Sequence, residues 1–178
     1  VLLSDDMLGF EEKLAELKSV SPQNKDVLQL EIAFASKQGN NKRALELLEG
    51  LFEREPTTSN VIALASLREI DGDLEGAASQ LERWLEKNPN DVKAREKLAT
   101  VHVSSNQVNK AMAQFQQILK LEPDNIVALN NLGWYLLDDD PKQALSYAER
   151  AAALAPESAP ILDTLAIAQL KNNNLIEA

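Results

Sequence analysis

Cysteine is absent from this 178-residue chain. No disulfide or thiolate metal site can therefore be built from it, and the absence fits a reducing and an oxidising compartment equally. Aromatic residues make up only 4%, and histidine occurs once, at His102. One histidine excludes a two-histidine metal site within one chain. Its place beside Val101 and Val103, in a helical stretch, points to packing or surface placement rather than general-base work. Positive charge is also short, with 18 basic residues against 28 acidic ones and a net charge of -10. Nucleic acid needs an electropositive track, so it is excluded as a partner. The acidic residues are spread along the chain, as on a solubilising helical surface. No window is apolar enough to span a bilayer. The start of the chain shows no basic region followed by an apolar export segment, although it opens on Val1 rather than Met, so a signal removed upstream is compatible with it. Neither a phosphate-binding glycine loop nor a nucleophile elbow is present, and no catalytic carboxylate pair stands out, so the chain is expected not to be an enzyme and to need no cofactor or metal.

What the chain does have is alanine, leucine and a period. Pro22, Pro56, Pro89, Pro123 and Pro156 are separated by 34, 33, 34 and 33 residues. Each follows a helix-like run, where a missing N–H and a restricted preceding residue stop a helix. Twelve residues before each of the last four prolines lie Ala44, Ala77, Ala111 and Ala144, and four residues after each alanine come Leu48, Leu81, Phe115 and Ala148. That spacing puts each pair on one helical face, where the small residue lets two helices approach closely. A complementary bulky–small pair recurs in the preceding helices at Leu64-Ala65, Leu98-Ala99, Leu132-Gly133 and Leu165-Ala166. The first unit breaks this rule with Glu31-Ile32, which suggests a slightly rotated or more exposed helix there.

The register gives units at 25–57, 58–91, 92–125, 126–158 and an incomplete 159–178, with 1–24 as the second half of a preceding unit. Polar turn clusters divide each unit into two helices: Gly39-Asn40-Asn41, Asp71-Gly72-Asp73, Ser104-Ser105-Asn106, Asp138-Asp139-Asp140-Pro141 and Asn172-Asn173-Asn174. About eleven helices are expected, counting a lone one near Asp5–Lys18 and a terminal stub. Phe10, Leu14 and Leu17 fall in the slots of Ala44, Leu48 and Leu51, and Ala178 falls in the slot of Ala44. The expectation is one array cut from a longer one.

These slots resemble the tetratricopeptide repeat (TPR) family: bulky then small in the first helix, alanine then aromatic or leucine in the second, proline at the end. The resemblance covers essentially the whole chain. It implies an all-α, right-handed superhelical solenoid of α-α hairpins whose first helices line a concave groove, and a non-enzymatic scaffold that binds a protein, a peptide or a partner helix there. A narrower similarity rests on Ala-Leu-Asn-Asn-Leu-Gly-Trp at 128–134, Ala-Glu-Arg-Ala at 148–151, Leu-Ala-Pro at 154–156 and Leu-Asp-Thr-Leu-Ala at 162–166. This wording is similar to the bacterial TPR lipoproteins associated with exosortase and exopolysaccharide systems (the PEP-CTERM system). It implies a periplasmic or envelope-associated setting and the polysaccharide-export machinery as a partner. Without it, a cytoplasmic setting is the expectation.

The family register points to groove residues on the first helices: Ile62, Glu69, Lys93, Glu96, Lys97, Val127, Asn130, Asn131, Trp134 and Asp163. Amides among them suit hydrogen bonding to a peptide backbone, and Trp134 is the one large aromatic anchor. Lys93 and Lys97 match part of a family carboxylate clamp, but Ala63, Gln29 and Ala33 hold the neighbouring slots, so the clamp is incomplete. Trp84, on a second helix, is expected to pack. Asp138-Asp139-Asp140 lacks the alternate spacing of a calcium loop and is expected to start a helix.

Overall fold

The computed structural model describes residues 2–22 and 24–174, with side chains over 9–22 and 24–172. Among the described residues there are ten helices and no strand. They are α1 (Leu2–Val20), α2 (Lys25–Lys37), α3 (Asn41–Arg54), α4 (Thr58–Ile70), α5 (Leu74–Lys87), α6 (Val92–Ser104), α7 (Val108–Leu121), α8 (Ile126–Tyr135), α9 (Pro141–Leu154) and α10 (Ala159–Asn174). α1 is longer at both ends than the Asp5–Lys18 expectation. The expected terminal stub lies outside the described residues.

Local chemistry sets the boundaries. The five periodic prolines each fall two residues beyond the last residue of α1, α3, α5, α7 and α9. The starts of α2, α3, α4, α6, α8 and α9 carry side-chain caps that satisfy otherwise orphaned N–H groups, while Gln107 before α7 makes none. Asn24 accepts from the N–H groups of Asp26 and Val27, Asn40 from Arg43, Thr57 from Asn60 and Asp91 from Ala94. Asn125 accepts from Ala128 and Asp140 from Gln143, with Pro141 opening α9. Asp140 is therefore a cap. Among the described residues, no group of three or more potential ligands gathers to hold a metal.

The chain divides into two compact units, Val1–Gln80 and Leu81–Ala178, with the boundary inside α5. In the first unit, α2 and α3 form a hairpin, α3 packs on α4, and Ala35, Ala44, Leu48, Leu51, Leu64 and Leu67 make the core. In the second, the hairpins α6–α7 and α8–α9 are followed by α10, which packs on both α8 and α9. Phe115 and Ile118 sit with Ala99, Ala111, Ala128 and Leu132, all essentially inaccessible. A Cβ at Gly133 would lie 3.3 Å from the Ala148 backbone nitrogen and 3.4 Å from the Ala144 carbonyl oxygen. Glycine there lets α8 approach the backbone of α9 more closely than any side chain would allow comfortably.

α2 buries three residues against five in α4 and five in α6, so it is the more exposed helix, yet Glu31 is one of those three, at 8% exposure. Its Oε1 accepts from Lys18 Nζ at 2.8 Å and from Arg43 Nη2 at 2.9 Å. The helix keeps its place because two cations satisfy the carboxylate where other hairpins bury leucine. In α1, only Leu14 of the three aligned residues is buried, while Phe10 and Leu17 are 40% and 42% exposed. The Phe10 ring instead stacks on Phe34, with centroids 5.3 Å apart.

Candidate partner-binding face

In the second unit, α8 presents Val127, Asn130, Asn131 and Trp134 at i, i+3, i+4 and i+7, one face of a helix. Its other face buries Leu129, Leu132 and Gly133. The exposed stripe follows from that division: the close approach to α9 fixes the helix's rotation and turns Trp134 outward. Trp134 is 49% exposed and Val127 50%. An indole that sealed a floor between hairpins would be buried, so half of its apolar surface is available to a partner.

The two amides between them differ. Asn131 Nδ2 donates to the Val127 carbonyl at 2.8 Å, folding one donor back on its own helix. Asn130 is half-buried, and its Oδ1 is buried without a hydrogen-bond partner. On α6, Lys93, Glu96 and Lys97 share a face; Lys93 is exposed and the other two are half-buried. Glu96 Oε1 accepts from Asn125 Nδ2 at 3.0 Å, which ties the start of α8 to α6. Asp163 is exposed on α10, and Lys171 of α10 pairs with Asp138 just beyond α8. Ile62 and Glu69, both half-buried, lie on α4 in the first unit. The α8 quartet and the α6 trio are thus the groups that share a surface, and Asp163 stands alone on its helix.

Trp84, Tyr135 and His102 are structural. Trp84 Nε1 donates to Asp91 Oδ2 at 2.7 Å while Asp91 Oδ1 caps α6, so this tryptophan fixes a helix start. Tyr135 packs beside the Phe115 cluster, and burial raises its hydroxyl above the ordinary value. His102 is 2% exposed, and burial holds its imidazole below the ordinary 6.5, opposed by Glu82 and assisted by Lys110. The Lys18–Glu31–Arg43 cluster was not among the expected site residues, although a glutamate in a leucine slot was its signal.

Residues 70–132 match the family model for the tetratricopeptide repeat. The fold is that of tetratricopeptide repeats. No curated protein matches the chain. Among solved structures, a TPR protein from Parabacteroides merdae superposes with a TM-score of 0.72 at 18% identity, covering 84% of this chain and 60% of that one. This chain therefore spans less than two thirds of that protein. YrrB, described as a TPR protein with an unusual peptide-binding site, gives 0.64 at 18% identity, covering 90% of this chain and 86% of that one. A thermophilic TPR protein from Thermus thermophilus gives 0.62 at 25% identity, covering 92% of this chain and 89% of that one. TPR proteins are characteristically non-catalytic scaffolds.

Proposed function

We propose that the chain binds a protein partner, as an extended peptide or a helix, along the exposed faces of the first helices of its second unit, with α8 as the main contact. The observation that carries this reading is the half-exposed Trp134, aligned with Val127 across two amides. Apolar groups at either end of the stripe would take side chains, and the amide between them would meet a backbone. The reported peptide-binding site of YrrB supports the class of partner. Glycan recognition on the same face ranks lower, because stacking on sugars needs aromatic platforms and Tyr135, beside Trp134, is committed to the core. A purely architectural spacer leaves the exposed indole without a use. We place the protein in the bacterial cell envelope, serving polysaccharide export or surface-protein sorting, a setting supported by the similarity of the wording at 128–134, 148–151, 154–156 and 162–166.

The test is capture of partners from envelope and soluble fractions with the wild-type protein and with Trp134→Ala. Capture should fall sharply while the helical signal and melting temperature stay nearly constant. A melting loss that accounts for the whole loss of capture would make Trp134 a packing residue and overturn the face. Retention of the same partners from the soluble fraction alone would remove the envelope setting.

A further inference from the structure

Among the described residues, a cavity of about 520 Å³ opens in the first unit between α1, α2 and α3. Its lining includes Leu14, Lys18, Glu31, Phe34, Ala35 and Arg43. The α2 residues that face it, at 31, 34, 35 and 38, follow helical spacing and lie on a different side from Gln29 and Ala33, the groove-register positions, which are exposed. We propose that this cavity is a binding site for a carboxylate carried beside a small apolar group, the chemistry shared by a peptide's C-terminal residue and a free N-acyl amino acid.

The first argument is Glu31, in the cavity's lining. Glu31 stands where the other hairpins bury Leu64, Leu98 and Leu132. Burying a charged triad is commonly no more stable than filling the same space with an apolar side chain. Packing alone does not explain the glutamate. What Glu31 does achieve is convergence: one oxygen, Oε1, holds both Lys18 Nζ and Arg43 Nη2. The two cations are thereby fixed within reach of a single second carboxylate. An ammonium has three donors and a guanidinium five, so both keep donors beyond those used on Glu31. Their side chains remain 39% and 46% exposed, and a ligand can reach them.

The second argument is the rest of the lining. Leu14 and Ala35 are buried, and Phe34 is half-buried with its ring braced on Phe10. This gives an apolar wall beside the cation pair, able to take a small side chain but not a second charge. Besides Glu31, whose own charge the two cations offset, two carboxylates oppose the ligand. Glu46 lies 3.5 Å from Arg43 Nη1, and Glu11 lines the cavity. Both residues are exposed, where solvent and salt screen them. The site is accordingly weak and weakens further as salt is raised.

The experiment is an amide-resolved NMR titration of the full chain with N-acetyl-leucine, with N-acetyl-leucinamide, and with a short peptide ending in free leucine. N-acetyl-leucine should give saturable shifts confined to residues around the cavity, and the neutral amide should give none. Lys18→Gln and Arg43→Gln should each weaken binding at least about tenfold. Glu31→Leu should abolish it while the protein stays folded and at least as stable, which separates loss of the site from loss of the fold. Tighter binding of the peptide assigns a chain terminus as the natural source, and equal or tighter binding of the small acid assigns a free acid; both uphold the site. Equal shifts from acid and amide, no saturable shift, or wild-type binding by Glu31→Leu would overturn it.

Discussion

Where α8 sets Leu132 and Gly133 against α9, α2 sets Glu31 and Ile32 beside α3. The first arrangement is apolar and close: Leu132 is inaccessible, and at Gly133 only the missing Cβ keeps backbone from meeting side chain. The second is polar and open, with a carboxylate under two cations and a cavity beside them. Both hairpins nonetheless form, with caps and prolines at equivalent places. The repeat's outline thus depends on its boundaries and small residues, and the bulky slot can be given over to other chemistry.

The largest expected break in this comparison is Leu132→Ala. It removes a fully buried side chain from the Phe115 cluster and should cost about 2–5 kcal/mol in urea unfolding, with the loss reported in the second unit. A cost under about 1 kcal/mol would show that the apolar hairpin is no tighter than the polar one. Glu31→Leu runs the other way and should leave stability unchanged or raise it by about 1 kcal/mol. That figure is set low because both cations are more than a third exposed and already share their charge with water. A clear loss would mean that the triad, rather than leucine-like filling, holds α1 to α2.

Acid separates the two units by titration, through His102 in the second and Glu31 in the first. Burial depresses the His102 imidazole, so the unfolded state takes up its proton first. Stability from this residue is complete above about pH 6.5 and falls as pH drops through that value toward the lower folded pKa. His102→Gln should flatten unfolding curves between about pH 8 and 5; an unchanged slope would assign the loss elsewhere. For Glu31, burial raises the carboxyl, but the hydrogen bonds and charges of Lys18 and Arg43 outweigh it and hold it below the ordinary 4.5. Its contribution is present above that value and disappears only as pH falls below it, in a separate window. The smallest effect is expected at Trp134→Ala, within about 1 kcal/mol, since half the indole already faces water.

Most of the fold was legible because its signals are local. Prolines, caps and turn residues act within a few positions of where they stand, and the alanine grid reports close packing directly. What escaped the sequence depends on partners far along the chain. Nothing next to Glu31 announces that Lys18 and Arg43 will converge on it and hold it in a buried slot. Phe10 and Leu17 matched core slots by spacing, yet their exposure depends on which helices pack around α1. The α8 stripe was legible as a face, whereas the inward carbonyl of Asn130 and the backbone-bound amide of Asn131 were not.

Asp139 gives the last consequence. The turns after α2, α4 and α6 each contain a residue with positive φ, Gly39, Gly72 and Asn106, whereas none is found in the turn after α8. A side chain of any shape is therefore sterically admissible at the exposed Asp139, five positions past Trp134. Since the chain contains no cysteine, Asp139→Cys would supply its sole thiol. The molecule offers a single address for a fluorescent reporter in the turn that follows α8, through which occupancy of the α8 face becomes an optical signal.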